Sequence, residues 1–221
     1  MIELRAATVW TPSGQPILSP TSERFVPKEK IGILAAPGSG KTTLARIFAG
    51  LQPPQQGRVI RSTIRDTILG QENLLHPHMA LHAALTDAAT LLGLPHQCAI
   101  ERALRFAGKG LNPTQKVSSL SPVQKSALSF ALSLQRPGQW LIADDRLVPS
   151  DPGLAASAES AVRLRLKTAG LIYISKNATQ LQRYCDRFFV LAATNLIPVP
   201  DLKLGPALFR TEAEGATHDT A

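Results

Sequence analysis

Short apolar runs alternate with helix-like segments along much of this chain. Predicted strands, each a short run of mainly aliphatic or aromatic residues, are 30–35, 58–60, 140–143, 171–175 and 188–191. Residues 42–49 and 154–168 carry apolar side chains at helical spacing, and Gly50 is a typical helix end. Alternating strands and helices favour an α/β fold, in which a mainly parallel sheet is covered by helices on both faces.

Two segments depart from this alternation. Residues 2–9 are rich in β-formers and run into turn residues at 11–14, which predicts a strand that enters a hairpin or loop. Residues 79–134 have a helical pattern, which predicts a helical insertion in the middle of the chain. Its breaks, marked by Gly, Pro or Ser, are 93–95, 108–113 and 121–122.

The composition is that of a packed globular protein. Of 221 residues, 44% are hydrophobic and 18% are charged, which argues against wholesale disorder and allows one domain with a sizeable core. Lys and Arg number 24 against 16 Asp and Glu, for a net charge of +8. Such a charge suits a polyanion such as a nucleotide, anionic lipid headgroups or nucleic acid, and equally a basic surface that only keeps the protein in solution.

Cysteine and membrane signals are sparse. Cys98 and Cys185 stand far apart with no second pair, so neither a disulfide framework nor a zinc site is predicted, and a reducing cytoplasm fits. No apolar run is long enough to cross a bilayer, and Glu3 and Arg5 interrupt what would be the apolar core of a signal peptide. Any membrane role is therefore expected to come through a partner.

A Gly-rich loop lies between the predicted strand 30–35 and the helix that follows it. Its residues are Ala35, Ala36, Pro37, Gly38, Ser39, Gly40, Lys41 and Thr42, with Thr43 next. Gly38 and Gly40 let backbone N–H groups curl around phosphates, while the Lys41 ammonium reaches the terminal phosphates. The Thr42 hydroxyl can bind Mg²⁺. A chance Gly-Lys-Thr surface turn is the alternative, and the predicted strand and helix on either side favour nucleotide binding instead.

The loop and the segment after it resemble the ATPase subunits of ABC transporters. The matching strings are Ile-Leu-Ala-Ala-Pro-Gly-Ser-Gly-Lys-Thr-Thr-Leu at 33–44 and Ala-Gly-Leu-Gln-Pro-Pro-Gln-Gln-Gly-Arg-Val at 49–59, and the resemblance covers nearly the whole chain. Within that family, residues 10–14 (Trp-Thr-Pro-Ser-Gly) and 129–133 (Ser-Phe-Ala-Leu-Ser) look most similar to exporters of capsular polysaccharide and other surface glycans.

This resemblance implies an organisation and a set of partners. We expect a P-loop NTPase core with an antiparallel N-terminal β subdomain, in a nucleotide-binding domain at 1–210 with a helical subdomain at about 72–135. Residues 211–221 are small and polar, which predicts a flexible tail. The expected ligands are ATP and Mg²⁺, and the expected partners are integral membrane permease subunits and a second ATPase subunit. The implied location is the cytoplasmic face of the cell membrane, with membrane contact only through the partner.

The resemblance also implies roles for individual residues. Trp10 falls where the family stacks an aromatic ring on adenine, and Gln71 falls at the loop glutamine that contacts Mg²⁺ and the attacking water. Asp144 matches the carboxylate that holds Mg²⁺, and Asp145 matches the general base. Asp151 matches the loop across which the two subunits communicate. The alternatives are a core Trp at a strand end, an exposed loop Gln and a solvated acidic turn.

Four positions depart from the family pattern. The strict phosphate loop begins with Gly, so Ala35 is expected to cost some loop freedom. Ser121 stands in the family signature as an expected N-cap, but Val123 puts a β-branched side chain where Gly usually approaches the phosphate of the other subunit. Asp145 is shorter than the usual Glu, and Lys176 replaces a switch His with a group that cannot accept a proton.

Three functions are weighed on these residues. The first is an ATPase that drives polysaccharide export by closing a dimer around ATP. The second is a degenerate partner that binds ATP and hydrolyses it slowly, as the four departures suggest. The third is a family member acting on nucleic acid, suggested by the net charge of +8 and unsupported by any coiled-coil arm, zinc-hook cysteines or tandem ATPase domain, so no nucleic acid is expected.

Overall fold

The computed structural model describes residues 1–11, 13–62, 66–69, 74–108 and 110–202. Its strands are β1 (Ile2–Trp10), β2 (Pro16–Phe25), β3 (Lys30–Ala35), β4 (Gln56–Arg61), β5 (Thr67–Leu69), β6 (Trp140–Asp144), β7 (Gly170–Ser175), β8 (Arg187–Ala192) and β9 (Asn195–Val199). Its helices are α1 (Lys41–Ala49), α2 (Leu81–Leu92), α3 (His96–Ala107), α4 (Pro122–Gln135), α5 (Pro152–Arg165) and α6 (Ala178–Tyr184), with a 3₁₀ turn at Val117–Ser119.

The chain folds into two compact units. Of the residues that the structure describes, the first contains those within Met1–Asp66, Gly138–Asp145 and 168–202, and the second contains those within Thr67–Pro137 and Arg146–Lys167. Each unit is discontinuous in sequence, so each must bring together segments that are far apart along the chain.

An antiparallel sheet begins the first unit. Strand β1 lies in its centre, with β2 on one side and β4 on the other. The strand prediction for residues 2–9 is confirmed, and the short strand predicted at 58–60 is the middle of β4. Strand β2 was not predicted, because its sequence, PILSPTSERF, has neither a continuous apolar run nor a regular alternation of polar and apolar residues.

A mainly parallel sheet carries the rest of the first unit. Strands β6, β7, β3 and β8 lie side by side in that order and run parallel, and β9 pairs antiparallel with β8. Helix α1 packs against β6 and β7, and helix α6 packs against β3 and β7. The buried side chains of β3 and β7 explain why these strands read as continuous apolar runs. The α/β prediction is confirmed.

Aromatic packing joins the elements of the first unit. The Phe25 ring of β2 lies 5.6 Å from the Phe48 ring of α1 and 5.8 Å from the Phe189 ring of β8, both edge-on. Strand β7 begins with Gly170 because a Cβ there would lie 2.6 Å from the Trp140 ring. The core of this unit therefore depends on contacts between the antiparallel sheet, a helix and the parallel sheet.

A buried arginine ties the end of α1 to β4. The Arg61 guanidinium donates to the carbonyl oxygens of Ile47 and Phe48, in the last turn of α1. It also lies 4.0 Å from the Asp66 carboxylate, which in turn accepts from the backbone N–H of Trp140 at 3.2 Å. Burial lowers the Arg61 pKa, and the nearby Asp66 charge opposes that shift. The cation adds donors to carbonyls of the last turn, where the negative end of the helix dipole favours positive charge, although the Ile47 carbonyl also accepts from the Gly50 N–H.

The second unit is mostly helical. Helices α2, α3 and α4 pack around one apolar cluster that includes Leu85, Ala103 and Leu128. Helix α2 ends before Gly93, which adopts the left-handed conformation and donates its N–H to carbonyl oxygens of the last turn. The predicted helical insertion and its breaks agree with these helices, whereas the helix predicted at 154–168 begins earlier and ends at Arg165.

Two predicted features lie outside the residues that the structure describes. The predicted tail at 211–221 lies there, and so does Gln71. Among the residues that the structure describes, no helix is both long enough and apolar enough to cross a membrane.

Candidate nucleotide site

The phosphate loop leaves the carboxyl end of β3 and enters α1. The left-handed residues of this loop are Gly38, with φ of +79°, and Gly40, with φ of +85°. A Cβ on Gly40 would also lie 2.6 Å from the Ile17 side chain, so glycine is required there on two grounds. Ala35 is buried at the end of β3 and does not have a positive φ. The loss of loop freedom expected from alanine at that position therefore does not follow.

The first turn of α1 presents free backbone donors. Gly40 precedes the helix without a side-chain cap, and no acidic residue lies in the first turn. Uncapped N–H groups and the positive end of the helix dipole together favour an anion at this point. The sequence provides the complementary cation, because Lys41 is the first residue of the helix.

Lys41 is held at the loop rather than in solvent. Its side chain is 9% exposed, and its ammonium donates to the Ala36 carbonyl at 3.0 Å. The Ser39 hydroxyl donates to the same carbonyl at 2.8 Å. An ammonium has three protons and no acceptor, so Lys41 retains donor capacity for an anion in the loop.

Two oxygen ligands suited to a hard cation meet next to the loop. The Thr42 hydroxyl donates to the Asp144 carboxylate at 2.6 Å. Thr42 lies in the first turn of α1 and Asp144 ends β6, so the fold joins residues that are 102 positions apart. A carboxylate and a hydroxyl are donors that Mg²⁺ accepts, and the pair therefore fits that ion.

Asp145 has an unusual backbone and an incompletely satisfied side chain. Its φ is +58°, in the left-handed region, and its N–H donates to the Ile174 carbonyl at 2.8 Å. One carboxylate oxygen lies 3.8 Å from the Lys41 ammonium. The other, Oδ1, is buried and has no hydrogen-bond partner among the residues described. A buried acceptor without a partner is costly, and such positions are typical of functional sites.

Lys176 follows the end of β7 and is exposed. The neighbouring residues hold its loop in place. The Asn177 N–H donates to the Ser175 hydroxyl at 3.2 Å, and the Asn177 side chain caps α6 by accepting from the Gln180 N–H at 3.1 Å. Lys176 thus lies in a short, hydrogen-bonded turn at the carboxyl end of β7, on the same side of the sheet as the phosphate loop that follows β3.

A groove runs beside the phosphate loop in the first unit. It has a volume of about 460 Å³, within the range of ligand pockets, and its lining residues are Pro16, Ile17, Ala36, Ser39, Leu191, Ala193 and Thr194. Trp10 ends β1 directly opposite Pro16, and its ring is partly exposed. The aromatic side chain therefore stands at the same end of the antiparallel sheet as a residue of the groove.

The remaining candidates belong to the second unit. Ser121 is the N-cap of α4 in a full capping box with Gln124, as predicted, and Pro122 is the first helical residue. Val123 is 42% exposed in the first turn of that helix. Asp151 is the N-cap of α5, since its carboxylate accepts from the Leu154 N–H at 3.1 Å. These three residues thus lie at helix starts.

Two polar contacts near Asp145 were absent from the sequence predictions. The single proton of the buried Tyr173 hydroxyl is shared between Gln180 Oε1, at 2.6 Å, and the more distant Asp145 carbonyl oxygen, at 3.3 Å. The available signal was a Tyr within the otherwise aliphatic strand β7, since a buried phenol needs a hydrogen-bond partner. Within the ranges that the structure describes, no group of three or more His, Cys, Asp or Glu is arranged to hold a metal ion.

This arrangement defines a class of protein. A strand, a Gly-rich loop and a helix with a buried Lys, beside a strand that ends in an acidic pair, form a P-loop nucleotide-binding site. The chain belongs to the ABC transporter family, whose model matches residues 18–148. It is accordingly an ATP-binding subunit and an ATPase. Proteins of this class bind ATP with Mg²⁺, form dimers and work with membrane permease subunits.

Curated relatives with different transport roles match the chain. The ATP-binding protein BexA of Haemophilus influenzae is 26% identical over 74% of this chain and 75% of its own length. The thiamine import ATP-binding protein ThiQ of Jannaschia sp. is 30% identical over 73% of this chain and 77% of its own length. The capsule polysaccharide export ATP-binding protein CtrD of Neisseria meningitidis is 24% identical over 84% and 86%.

Solved structures share the fold. A dimeric ATP-binding cassette in a post-hydrolysis state with ADP and Pi matches with a TM-score of 0.72 at 17% identity, over 89% of this chain and 96% of that one. The ATP-binding subunit of an ABC transporter matches with a TM-score of 0.74 at 18% identity, over 89% and 88%.

Proposed function

We propose that this chain couples ATP hydrolysis to the export of a capsular or other surface polysaccharide through separate permease subunits. The observation that supports ATP hydrolysis is that Thr42 contacts Asp144 and Lys41 contacts Asp145, both at the carboxyl ends of the parallel strands. The export assignment is supported by the similarity to CtrD and by the residues 10–14 and 129–133. We place its work at the cytoplasmic face of the cell membrane.

The residues divide the chemistry of hydrolysis among them. ATP would supply the phosphoryl group, and Mg²⁺ would supply positive charge to offset the negative charge of the phosphates. The α1 N-terminus and Lys41 would hold the phosphates, and Thr42 and Asp144 would hold the metal ion. The Asp145 carboxylate accepts a proton from the attacking water as the water oxygen bonds to the γ-phosphorus and the bond to the leaving ADP oxygen breaks. Gln71 completes this set as a contact to the water and metal.

Other proposed contacts complete the nucleotide site. Trp10 stacks on the adenine, and the groove beside the phosphate loop receives the nucleoside. Ser121 and Val123 approach the phosphate of the other subunit, Asp151 lies between the subunits, and Lys176 donates to the terminal phosphate. The site is therefore completed only in a dimer, in which each subunit binds ATP in its own phosphate loop.

The export proposal is tested in the organism that carries this chain. Deleting its gene should remove the polysaccharide from the cell surface and leave it inside the cell. Expression of the native chain should restore the surface polysaccharide, and expression of Lys41→Ala should not. The control Lys167→Ala removes an exposed lysine outside the proposed site and should restore the surface polysaccharide fully. Normal surface polysaccharide together with a defect in thiamine uptake would assign the chain to import instead.

A degenerate ATPase is the second candidate. It is favoured by Asp145, whose carboxylate stands one methylene back from that of Glu and lies near Lys41, and by Lys176, which cannot accept a proton. Under this alternative the purified chain binds ATP but turns it over slowly, and the double change Asp145→Glu with Lys176→His raises the rate roughly tenfold. Fast native turnover that Asp145→Asn abolishes would exclude this alternative.

A further inference from the structure

A buried tyrosine contacts the main chain of the proposed catalytic base. Tyr173 is 1% exposed in the centre of β7, and its hydroxyl reaches the Asp145 carbonyl oxygen at 3.3 Å. The Asp145 N–H donates to the Ile174 carbonyl at 2.8 Å. Strand β7 therefore bonds both polar main-chain groups of Asp145, the residue with the left-handed backbone.

The same hydroxyl reaches the loop that carries Lys176. Its stronger contact is with Gln180 Oε1 at 2.6 Å, in the first turn of α6. The Gln180 N–H is bonded in turn to Asn177, which follows Lys176 directly. Tyr173 thus links Asp145 with the loop of Lys176. These are the two positions where the resemblance implies a different residue in a role in hydrolysis.

We propose that Tyr173 and Gln180 are positioning residues for ATP hydrolysis, which hold the Asp145 main chain in its left-handed conformation and tie it to the Lys176 loop. The inference rests on the proposed role of Asp145. An L-residue with φ of +58° is held there only when its surroundings stabilise that conformation, and a small rotation at Asp145 moves its carboxylate away from the attacking water.

The alternative is that the hydroxyl is merely satisfied. A buried phenol needs a hydrogen-bond partner, and Gln180 Oε1 at 2.6 Å is sufficient for that. A purely structural hydroxyl affects folding stability and leaves turnover unchanged. A positioning hydroxyl lowers kcat and leaves the affinity for ATP nearly unchanged, because the phosphate-binding residues lie on other elements. The split between kcat and KM therefore separates the two.

Tyr173→Phe is the primary variant, since it removes only the hydroxyl. We expect kcat to fall roughly fivefold to tenfold, the loss typical of one hydrogen bond, with the Kd for a fluorescent ATP analogue changed less than about twofold. Tyr184→Phe is the matched control, because it removes the chain's other phenol hydroxyl, and it should leave kcat unchanged.

Gln180 provides an independent test on an exposed residue, where misfolding is not a concern. Gln180→Leu should lower kcat as Tyr173→Phe does, and Gln180→Glu, which keeps an acceptor oxygen, should restore most of it. The double variant of Tyr173→Phe with Gln180→Leu should lose no more than either single one, because both act through one contact.

The outcomes are distinguishable. Native kcat in Tyr173→Phe and Gln180→Leu, in a protein that loses activity on Asp145→Asn, would overturn this inference alone. Full activity in Asp145→Asn would overturn the assigned role of Asp145 and this inference with it. Additive losses in the double variant would show that Tyr173 and Gln180 act separately, which contradicts the proposed link.

Discussion

At the scale of single residues, the proposed metal site depends on the contact between Thr42 and Asp144. The two were predicted separately, Thr42 from the loop and Asp144 from the resemblance, and the structure joins them at 2.6 Å. Sequence spacing alone does not reveal this contact, because Thr42 follows β3 on helix α1 while Asp144 ends β6, and β7 lies between β3 and β6 in the sheet.

Removing the Thr42 hydroxyl tests that site. We expect Thr42→Ala to lower ATP hydrolysis roughly tenfold and to raise the Mg²⁺ concentration needed for half-maximal rate, since a metal ligand is lost. Thr42→Ser keeps the hydroxyl and should retain most of the activity. The measurement is a steady-state rate at varied Mg²⁺, and an unchanged Mg²⁺ dependence in Thr42→Ala would contradict the proposed ligand.

Helix starts show the agreement between sequence and structure at the scale of elements. Ser121 with Pro122 was predicted to begin a helix, and α4 begins there with both halves of a capping box. Asp151 also caps a helix, α5, with Pro152 as its first residue but without a capping box, whereas the resemblance implied only a subunit contact for Asp151. A residue can serve both roles, so the stabilising and functional contributions of Ser121 need separate variants.

Two substitutions separate these contributions. Ser121→Ala removes the cap and should lower the free energy of unfolding by about 1 kcal/mol, as measured by urea denaturation. Ser121→Asp keeps a good cap and should retain that stability, but its negative charge should weaken ATP-dependent dimer formation in gel filtration. Equal stability in Ser121→Ala and the native chain would show that the capping box contributes nothing to folding.

Buried ionisable groups link stability to pH at the scale of the whole molecule. Burial raises the pKa of Tyr173 from 10.0 to about 12, and burial also raises the pKa of the Cys185 thiol above its usual 9.0. Both groups are neutral when protonated, so folding favours the protonated forms. Their contribution to stability is complete below about pH 9 and is lost as the pH rises towards 12.

The native chain should therefore lose stability steeply above about pH 9. A double variant, Tyr173→Phe with Cys185→Ala, should show a flatter decline relative to its own value at pH 7.5, because neither replacement ionises. Urea unfolding between about pH 7.5 and 11 measures both curves. Parallel curves for the two proteins would show that these buried groups do not couple to folding.

The sequence by itself determined the α/β class, the phosphate loop and most elements of the parallel sheet. These features are local: an apolar run, left-handed glycines and a Lys next to a helix start each occupy a few consecutive residues. Strands β2 and β9 and helix α6 were not predicted, because they are short or have mixed polarity and form through pairing and packing with distant segments.

Only the tertiary structure decided how the chemistry-bearing residues meet. It placed Asp144 against Thr42, gave Asp145 its left-handed backbone and Lys41 contact, and brought Tyr173 to the Asp145 carbonyl. These relations depend on the order of strands in the sheet, which hydrophobic periodicity does not encode. A contact between side chains far apart in sequence becomes definite only when the strands that carry them are packed.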